Sequence, residues 1–123
     1  MLCIPLNDNW VFHDRDPYAE PLFVGESGRI LRFALKPGQS VREHTAPHSP
    51  VYMVVLKGKG LFSGSDAQEQ SFGPGTLLVF DVGEPHAVRV QCRGNFGDLP
   101  AEAGNRHGRN STRIFKHIRF PRI

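Results

Sequence analysis

The stretch from Gly38 to Val90 limits the possible folds most strongly, because glycine and proline divide it into runs too short for ordinary helices. Pro37-Gly38, Gly58-Lys59-Gly60 and Gly73-Pro74-Gly75 separate these runs. Proline presets φ for a turn and glycine accepts positive φ without a steric penalty, so each site predicts a turn. Short apolar runs between closely spaced turns are typical of an all-β domain.

The runs themselves have the two-residue period of strands. Leu31, Phe33 and Leu35 alternate with polar or small residues, which predicts a half-buried strand. The run from Val51 to Lys57 is instead apolar on both faces. Since such a strand needs cover on both sides, the N-terminal arm or a second subunit must shield one of them. We therefore expect a homodimer.

Two segments of this stretch carry histidines at regular distances from glycines. In the first, Gly38 precedes His44 by six positions and Gly58 follows; in the second, Gly75 precedes Gly83 and His86. These spacings resemble the two sequence motifs of the cupin superfamily, over about Leu31 to Val90. The chain departs from the family pattern at four positions, which hold Ala46 for histidine, Val51 for glutamate, Asp81 for proline and Val90 for asparagine.

The resemblance implies an RmlC-like jelly roll, that is, a double-stranded β-helix. It also implies a divalent transition metal (Zn, Fe, Ni, Mn or Cu) bound where His44 and His86 face one another across the barrel mouth. His48 is the candidate third ligand, because strand parity places it on the face of His44, although Pro47 and Pro50 interrupt the strand. Water is expected at the remaining positions, with Glu43, Asp81 and Glu84 as the nearby carboxylates.

The expected function is the binding of a small molecule beside this metal. Phe33, Met53 and Val88 are the predicted walls of the ligand pocket. Members of the superfamily include oxygenases, isomerases and sensors without catalysis, so the fold does not select an activity. A metal-dependent oxygenase or isomerase is one hypothesis. A binding module without metal or catalysis is the alternative, and the missing glutamate favours it.

The 123 residues predict a single domain. Residues 1–28 form an N-terminal arm in which Trp10–His13 and Pro21–Val24 are short candidate strands. Residues 29–123 form the barrel, including a long polar loop at 94–112 and a closing strand at 113–120. In that strand Ile114, Lys116 and Ile118 share one face.

Charge and cysteine content restrict the partners and the compartment. From Arg89 onward eight basic residues face two acidic ones, giving +6, whereas the first 88 residues carry −3. Stacking aromatics are few in this basic segment, so a nucleic-acid partner is not expected. Cys3 and Cys92 lack a CxxC spacing. The sequence has no apolar stretch long enough to predict a signal peptide or a membrane span. We expect reduced thiols and a cytoplasmic location.

Overall fold

The computed structural model describes residues 1–92 and 111–119, and within them it contains nine β-strands. In chain order these are β1 (Glu20–Gly25), β2 (Gly28–Leu35), β3 (Ser40–His44), β4 (Val51–Lys57), β5 (Gly60–Ser63), β6 (Gln70–Phe72), β7 (Leu77–Phe80), β8 (His86–Arg89) and β9 (Thr112–Arg119). The strands follow the predicted turns closely. The all-β prediction is confirmed.

The strands form two antiparallel sheets that face each other. One sheet has the order β1-β2-β9-β4-β7 and the other has the order β3-β8-β5-β6. Strand β9 therefore lies in the middle of the larger sheet, between β2 and β4, although it is the last of the described strands along the chain. Any side chain that β9 directs inward points at the smaller sheet.

The core lies between the sheets and is built from the inward-facing positions of the alternating runs. Its members are Leu31, Phe33, Leu35, Val51, Met53, Val55, Phe62, Phe80, Val88, Val90, Ile114 and Ile118. On β4 the predicted parity is observed, since Val51, Met53 and Val55 are buried whereas Tyr52 is 37% exposed. The outward face of β4 is thus only partly covered by the described residues.

Glycines of the two motifs occupy turns that demand them. Gly38, Gly58, Gly75 and Gly83 all have positive φ, between 73° and 85°. At Gly58 an added Cβ would also overlap the backbone oxygen of Ser111, just before β9. The spacing of these glycines therefore records the positions where the backbone reverses direction.

The N-terminal arm covers part of the larger sheet. Strand β1 pairs with β2, whereas residues 1–19, all of which the structure describes, form no strand; the candidate strand at Trp10–His13 is therefore wrong. This segment packs instead on Arg32, which is 5% exposed. The Arg32 guanidinium bonds both carboxylate oxygens of Glu20 and lies 4.3 Å from the centre of the Trp10 ring.

The closing strand spans 112–119, close to the predicted range. The predicted loop at 94–112 falls outside the described residues except for its last two positions. Cys3 and Cys92 are exposed free thiols. Within the described ranges, the structure has no helix long and apolar enough to cross a bilayer.

Candidate ligand site

His44 and His86 are neighbours on adjacent strands of the smaller sheet. They are direct partners in the β3–β8 ladder, after a register shift that follows Val41. Directly opposed residues project from the same face of a sheet, and the two rings accordingly lie 4.2 Å apart between centroids. The histidines are therefore side by side, and the expectation that they face one another across the barrel mouth is corrected.

The group that faces them from the other sheet is the amine of Lys116. Its Nζ lies 2.6 Å from Nε2 of His44 and 3.1 Å from Nε2 of His86. Lys116 is on the central strand β9, opposite Leu31 and Met53, and is only 2% exposed. The strand alternation that buries Ile114 and Ile118 thus also directs Lys116 into the barrel.

Backbone contacts settle which histidine nitrogens carry protons. Nδ1 of His44 lies 2.8 Å from the carbonyl oxygen of Arg42, and Nδ1 of His86 lies 3.0 Å from that of Glu84. A carbonyl only accepts, so each Nδ1 carries the hydrogen and donates it. Each neutral ring then presents the lone pair of Nε2 to Lys116, which donates to both.

Burial shifts the proton affinities of all three groups toward the neutral state. Desolvation is the main cause for His86, whose pKa falls to about 4, with a smaller effect of the Lys116 charge. Desolvation likewise lowers the pKa of Lys116 to about 8, helped by the charge of Arg29. For His44, desolvation outweighs the bond to Arg42 and lowers the pKa. Both rings therefore remain neutral acceptors at pH 7.

A cavity of about 570 Å³ opens beside this cluster. Its apolar walls come from Leu31, Phe33, Val41, Ala46 and Ile118, and its charged lining from Arg29, Arg42, Glu43 and Lys116. Three cations thus face one carboxylate. Cavities of this size and mixed lining are typical of small-molecule sites.

The predicted pocket residues divide between this cavity and a much smaller one. Phe33 lines both. Met53 and Val88, each 4% exposed, line the smaller space of about 10 Å³, which is at the lower limit for one water molecule. These two residues are core residues that support the histidines from behind.

The structure brings together two of the three predicted metal ligands. His48 is exposed at the rim of the larger cavity. The carboxylate of Glu84 accepts bonds from the backbone N–H groups of Ser65 and Asp81, so it joins two turns. In residues 1–92 and 111–119, no three histidine, cysteine, aspartate or glutamate side chains are grouped to hold one ion.

The donor set does not fit the divalent metal that the resemblance implies. A metal bound to both Nε2 atoms would lie about 2 Å from each, which is the space next to Lys116 Nζ. An ammonium there has no lone pair for a metal and repels it, and both Nε2 lone pairs already accept its hydrogens. The Lys116 ammonium therefore takes the place that a metal ion would have between the two Nε2 atoms.

Lys116 is the candidate site residue that the sequence interpretation missed. The signal was present, because a charged residue alternated with two isoleucines on the same face of a predicted strand. A charge on the apolar face of a central strand needs a buried partner. His44 and His86 were the available acceptors, and the motif had already placed them inside.

Comparisons with known proteins agree with this architecture. The family model described as a cupin domain matches residues 31–94, just over half of the chain. No curated protein matches the chain at a significant level.

Several solved structures share the fold at low sequence identity. An RmlC-like cupin protein from Desulfovibrio desulfuricans is 22% identical with a TM-score of 0.76, covering 97% of this chain and 96% of its own. A protein from Thermus thermophilus is 19% identical with a TM-score of 0.75 and coverage of 98% and 100%. A predicted oxalate decarboxylase from Thermotoga maritima is 20% identical with a TM-score of 0.58 and coverage of 77% and 69%. These similarities confirm the jelly-roll prediction.

Proposed function

This chain belongs to the cupin domain family, and we propose that it binds a small organic anion in its barrel without a metal, with Lys116 as the anchor. The supporting observation is the position of the lysine amine. Its Nζ donates to Nε2 of both His44 and His86 at the floor of the larger cavity. The proposal thus develops the metal-free alternative of the sequence analysis.

Hydrogen-bond counting supports an acceptor on the ligand. A protonated lysine has three N–H donors, and two of them are used by the histidines. Among the described residues, no third acceptor lies within hydrogen-bonding distance of this amine. A carboxylate in the cavity would accept the third N–H in a charge-assisted bond, which is stronger than a neutral one.

The charge of the cavity lining supports an anion over a cation. Arg29 and Arg42 line it together with Lys116, against Glu43. Arg29 acts on Lys116 electrostatically, since its charge contributes to the lowered pKa of the amine. A bound anion between the two groups would relieve this repulsion. Apolar residues such as Phe33 and Ile118 favour an organic body behind the anionic group.

Calorimetry with charged and uncharged analogues tests the proposal. We would titrate benzoate, oxalate and succinate, with benzamide as the uncharged analogue of benzoate, in buffer containing EDTA. At least one carboxylate should bind, and benzamide should bind more weakly. Lys116→Met should weaken carboxylate binding roughly 10- to 100-fold, because one charge-assisted bond contributes about 1.5–3 kcal/mol.

Lys57→Met is the matched control, since Lys57 is exposed on β4 and does not line the cavity. It removes the same charge and should leave carboxylate affinity unchanged. Equal losses in both variants would mean that net charge, and not the site, attracts the anion. Unchanged affinity in Lys116→Met would refute the anchor.

A second candidate function is the metal binding that the resemblance implies. The observation in its favour is that both Nε2 atoms point at one place. It requires Lys116 to leave that place, so removing the amine should raise metal affinity. We expect Lys116→Ala to bind Ni²⁺ or Zn²⁺ more tightly than the parent does, by calorimetry on untagged protein. Tight, stoichiometric uptake by the parent would instead favour a metal cupin.

A further inference from the structure

We propose that the Lys116 amine captures 2-oxo carboxylates covalently as an imine, which makes the cavity a reactive site for carbonyl acids. The inference rests on the proposed anion-binding function, because the same cavity must admit the compound. It adds a bond-forming step to that function. The observations that carry it are the two hydrogen bonds of the amine and its place at the cavity floor.

The histidines orient the amine for attack. A neutral amine has two N–H groups and one lone pair, and both Nε2 acceptors take the two hydrogens. The lone pair then occupies the one tetrahedral position of the nitrogen that makes no bond or hydrogen bond. Since Lys116 lines the larger cavity as well as the small one behind it, the cavity is where an electrophile meets this nitrogen.

The reaction needs no reagent beyond the carbonyl compound, and it begins from the neutral amine that forms when the ammonium releases one proton to water. The Nζ lone pair forms a C–N bond as the carbonyl π bond opens, and the proton lost by nitrogen ends on the oxygen to give a carbinolamine. Loss of water then gives the imine. Nε2 of His44, 2.6 Å from Nζ, is placed to pass the first N–H proton to the carbonyl oxygen and then the second N–H proton to the hydroxyl, which leaves as water.

The same lining indicates which carbonyl compounds are suited. Arg29 lies on β2 two residues before Leu31, which is the pairing partner of Lys116 on β9. It shares the inward face with Leu31 by strand parity and lines the cavity. A carboxylate adjacent to the carbonyl carbon would pair with Arg29 while the carbonyl meets Nζ. Simple neutral ketones lack this second contact.

Reductive trapping tests the inference directly. The full-length protein is incubated with pyruvate or phenylpyruvate and sodium cyanoborohydride, and the modified lysine is identified by peptide mass spectrometry. We expect modification at Lys116 in preference to Lys36, Lys57 and Lys59 by roughly tenfold or more. Acetone, which has no carboxylate, should label Lys116 more weakly than pyruvate does.

Two variants and one competition separate the site from general amine reactivity. Lys116→Arg keeps a cation but cannot form the imine, and should lose the adduct. Lys57→Arg should retain it. Benzoate or succinate, if bound as proposed, should suppress labelling of Lys116 and leave the surface lysines unaffected. Because labelling is mapped on the parent protein, the test remains decisive even if Lys116→Arg does not fold.

The outcomes also distinguish this inference from the proposed function. A selective Lys116 adduct supports both. Carboxylate binding by calorimetry with labelling spread evenly over the lysines overturns the inference and leaves the anion site standing. A protein that neither binds carboxylates nor forms the adduct overturns both.

Discussion

At the scale of single residues, the buried amine of Lys116 joins His44 and His86 in one cluster. Burial of an ammonium costs free energy, and the two Nε2 acceptors offset only part of that cost. The histidines remain neutral in turn because the same environment lowers their pKa values. The three residues therefore form one hydrogen-bonded unit in which each member depends on the protonation of the others.

The lowered pKa of Lys116 predicts a specific dependence of stability on alkaline pH. The amine has a pKa of about 8 in the folded protein, against the ordinary lysine value of 10.5 in an unfolded chain. Between these values the unfolded state binds more protons, so this group makes the protein more stable as pH rises. We expect the unfolding free energy of the parent, relative to Lys116→Met, to increase from pH 7.5 to pH 9.5 in urea titrations.

A constant difference in unfolding free energy between the parent and Lys116→Met across that pH range would contradict the lowered pKa of Lys116. Lys57→Met, in which an exposed amine is removed, accounts for the change in net charge. Both variants carry the same substitution, so effects of methionine on the unfolded chain largely cancel.

The lowered pKa of His86 predicts a loss of stability at acidic pH. Its pKa is about 4 in the folded protein against 6.5 unfolded, so the unfolded state takes up the proton first as pH falls. The stability contributed by neutral His86 is complete above pH 6.5 and is lost progressively toward pH 4. We expect the stability advantage of the parent over His86→Gln to shrink between pH 7 and pH 5. An advantage that stays constant in chemical unfolding would argue against a buried, neutral ring.

The sequence motifs made His44 and His86 predictable as site residues. The fold explains why Lys116 could not be predicted in the same way. His44 and His86 follow from their spacing to Gly38 and Gly83, because those glycines fix the turns before and within the two motifs. Lys116 has no motif. Its role depends on β9 entering the sheet between β2 and β4, which is a long-range pairing that local alternation does not reveal.

At the scale of elements, the β4–β5 turn approaches the start of β9 closely. Gly58 has φ of +73°, and a Cβ there would overlap the backbone oxygen of Ser111. Gly75 has φ of +81° with nothing within 4 Å of the same position. The two glycines thus share the backbone requirement and differ only in the neighbouring strand.

This pair predicts a graded loss of stability. Gly75→Ala should cost about 1–2 kcal/mol, since a side chain is strained at positive φ. Gly58→Ala should cost about 1–3 kcal/mol more, because β9 must also move away from the turn. Urea unfolding of both variants measures the difference. Equal losses would mean that the β4–β5 turn yields without disturbing β9.

A buried arginine is one of the groups that hold the N-terminal arm, beside the bonds of Gln39 and Lys36 to residues 13–15. Arg32 bonds Glu20 and the carbonyl oxygens of Leu6, Asp8 and Asn9. Strand parity assigned Arg32 to the outward face of β2, which is correct, but the sequence did not indicate that the arm would bury it. The several contacts of one planar guanidinium explain how a segment without strands stays attached.

Replacing Arg32 with lysine should therefore loosen the arm. Lysine keeps the charge but cannot make the forked contact with Glu20 while reaching three carbonyls. We expect faster tryptic cleavage at Arg15 in Arg32→Lys than in the parent, measured by mass spectrometry. Arg42→Lys, at an exposed position on β3, is the matched control and should leave the cleavage rate unchanged.

At the scale of the whole molecule, the outer face of the larger sheet carries an exposed apolar patch. Tyr52 and Val54 on β4 lie beside Val79 and Leu77 on β7, and of these Leu77 and Val79 are 58% and 56% exposed. The sequence predicted this face from the apolar outward positions of β4. The arm packs on Arg32 of β2, near the other edge of the sheet, so the described part of the arm does not explain this patch.

A second copy of the chain is the occupant that we predict for this face. Among the described strands β7 pairs only with β4, so its other edge offers unpaired backbone groups next to the exposed side chains. A partner related by two-fold symmetry would present the same patch and edge, so it would cover the exposed side chains and pair the free backbone groups.

We expect sedimentation equilibrium to show a dimer at micromolar concentrations and Val79→Lys to shift it to monomer, since a buried unpaired ammonium opposes association. Val24→Lys, at an exposed valine on β1 at the opposite edge, should leave the dimer intact. A monomeric parent, or equal effects of the two substitutions, would contradict this interface.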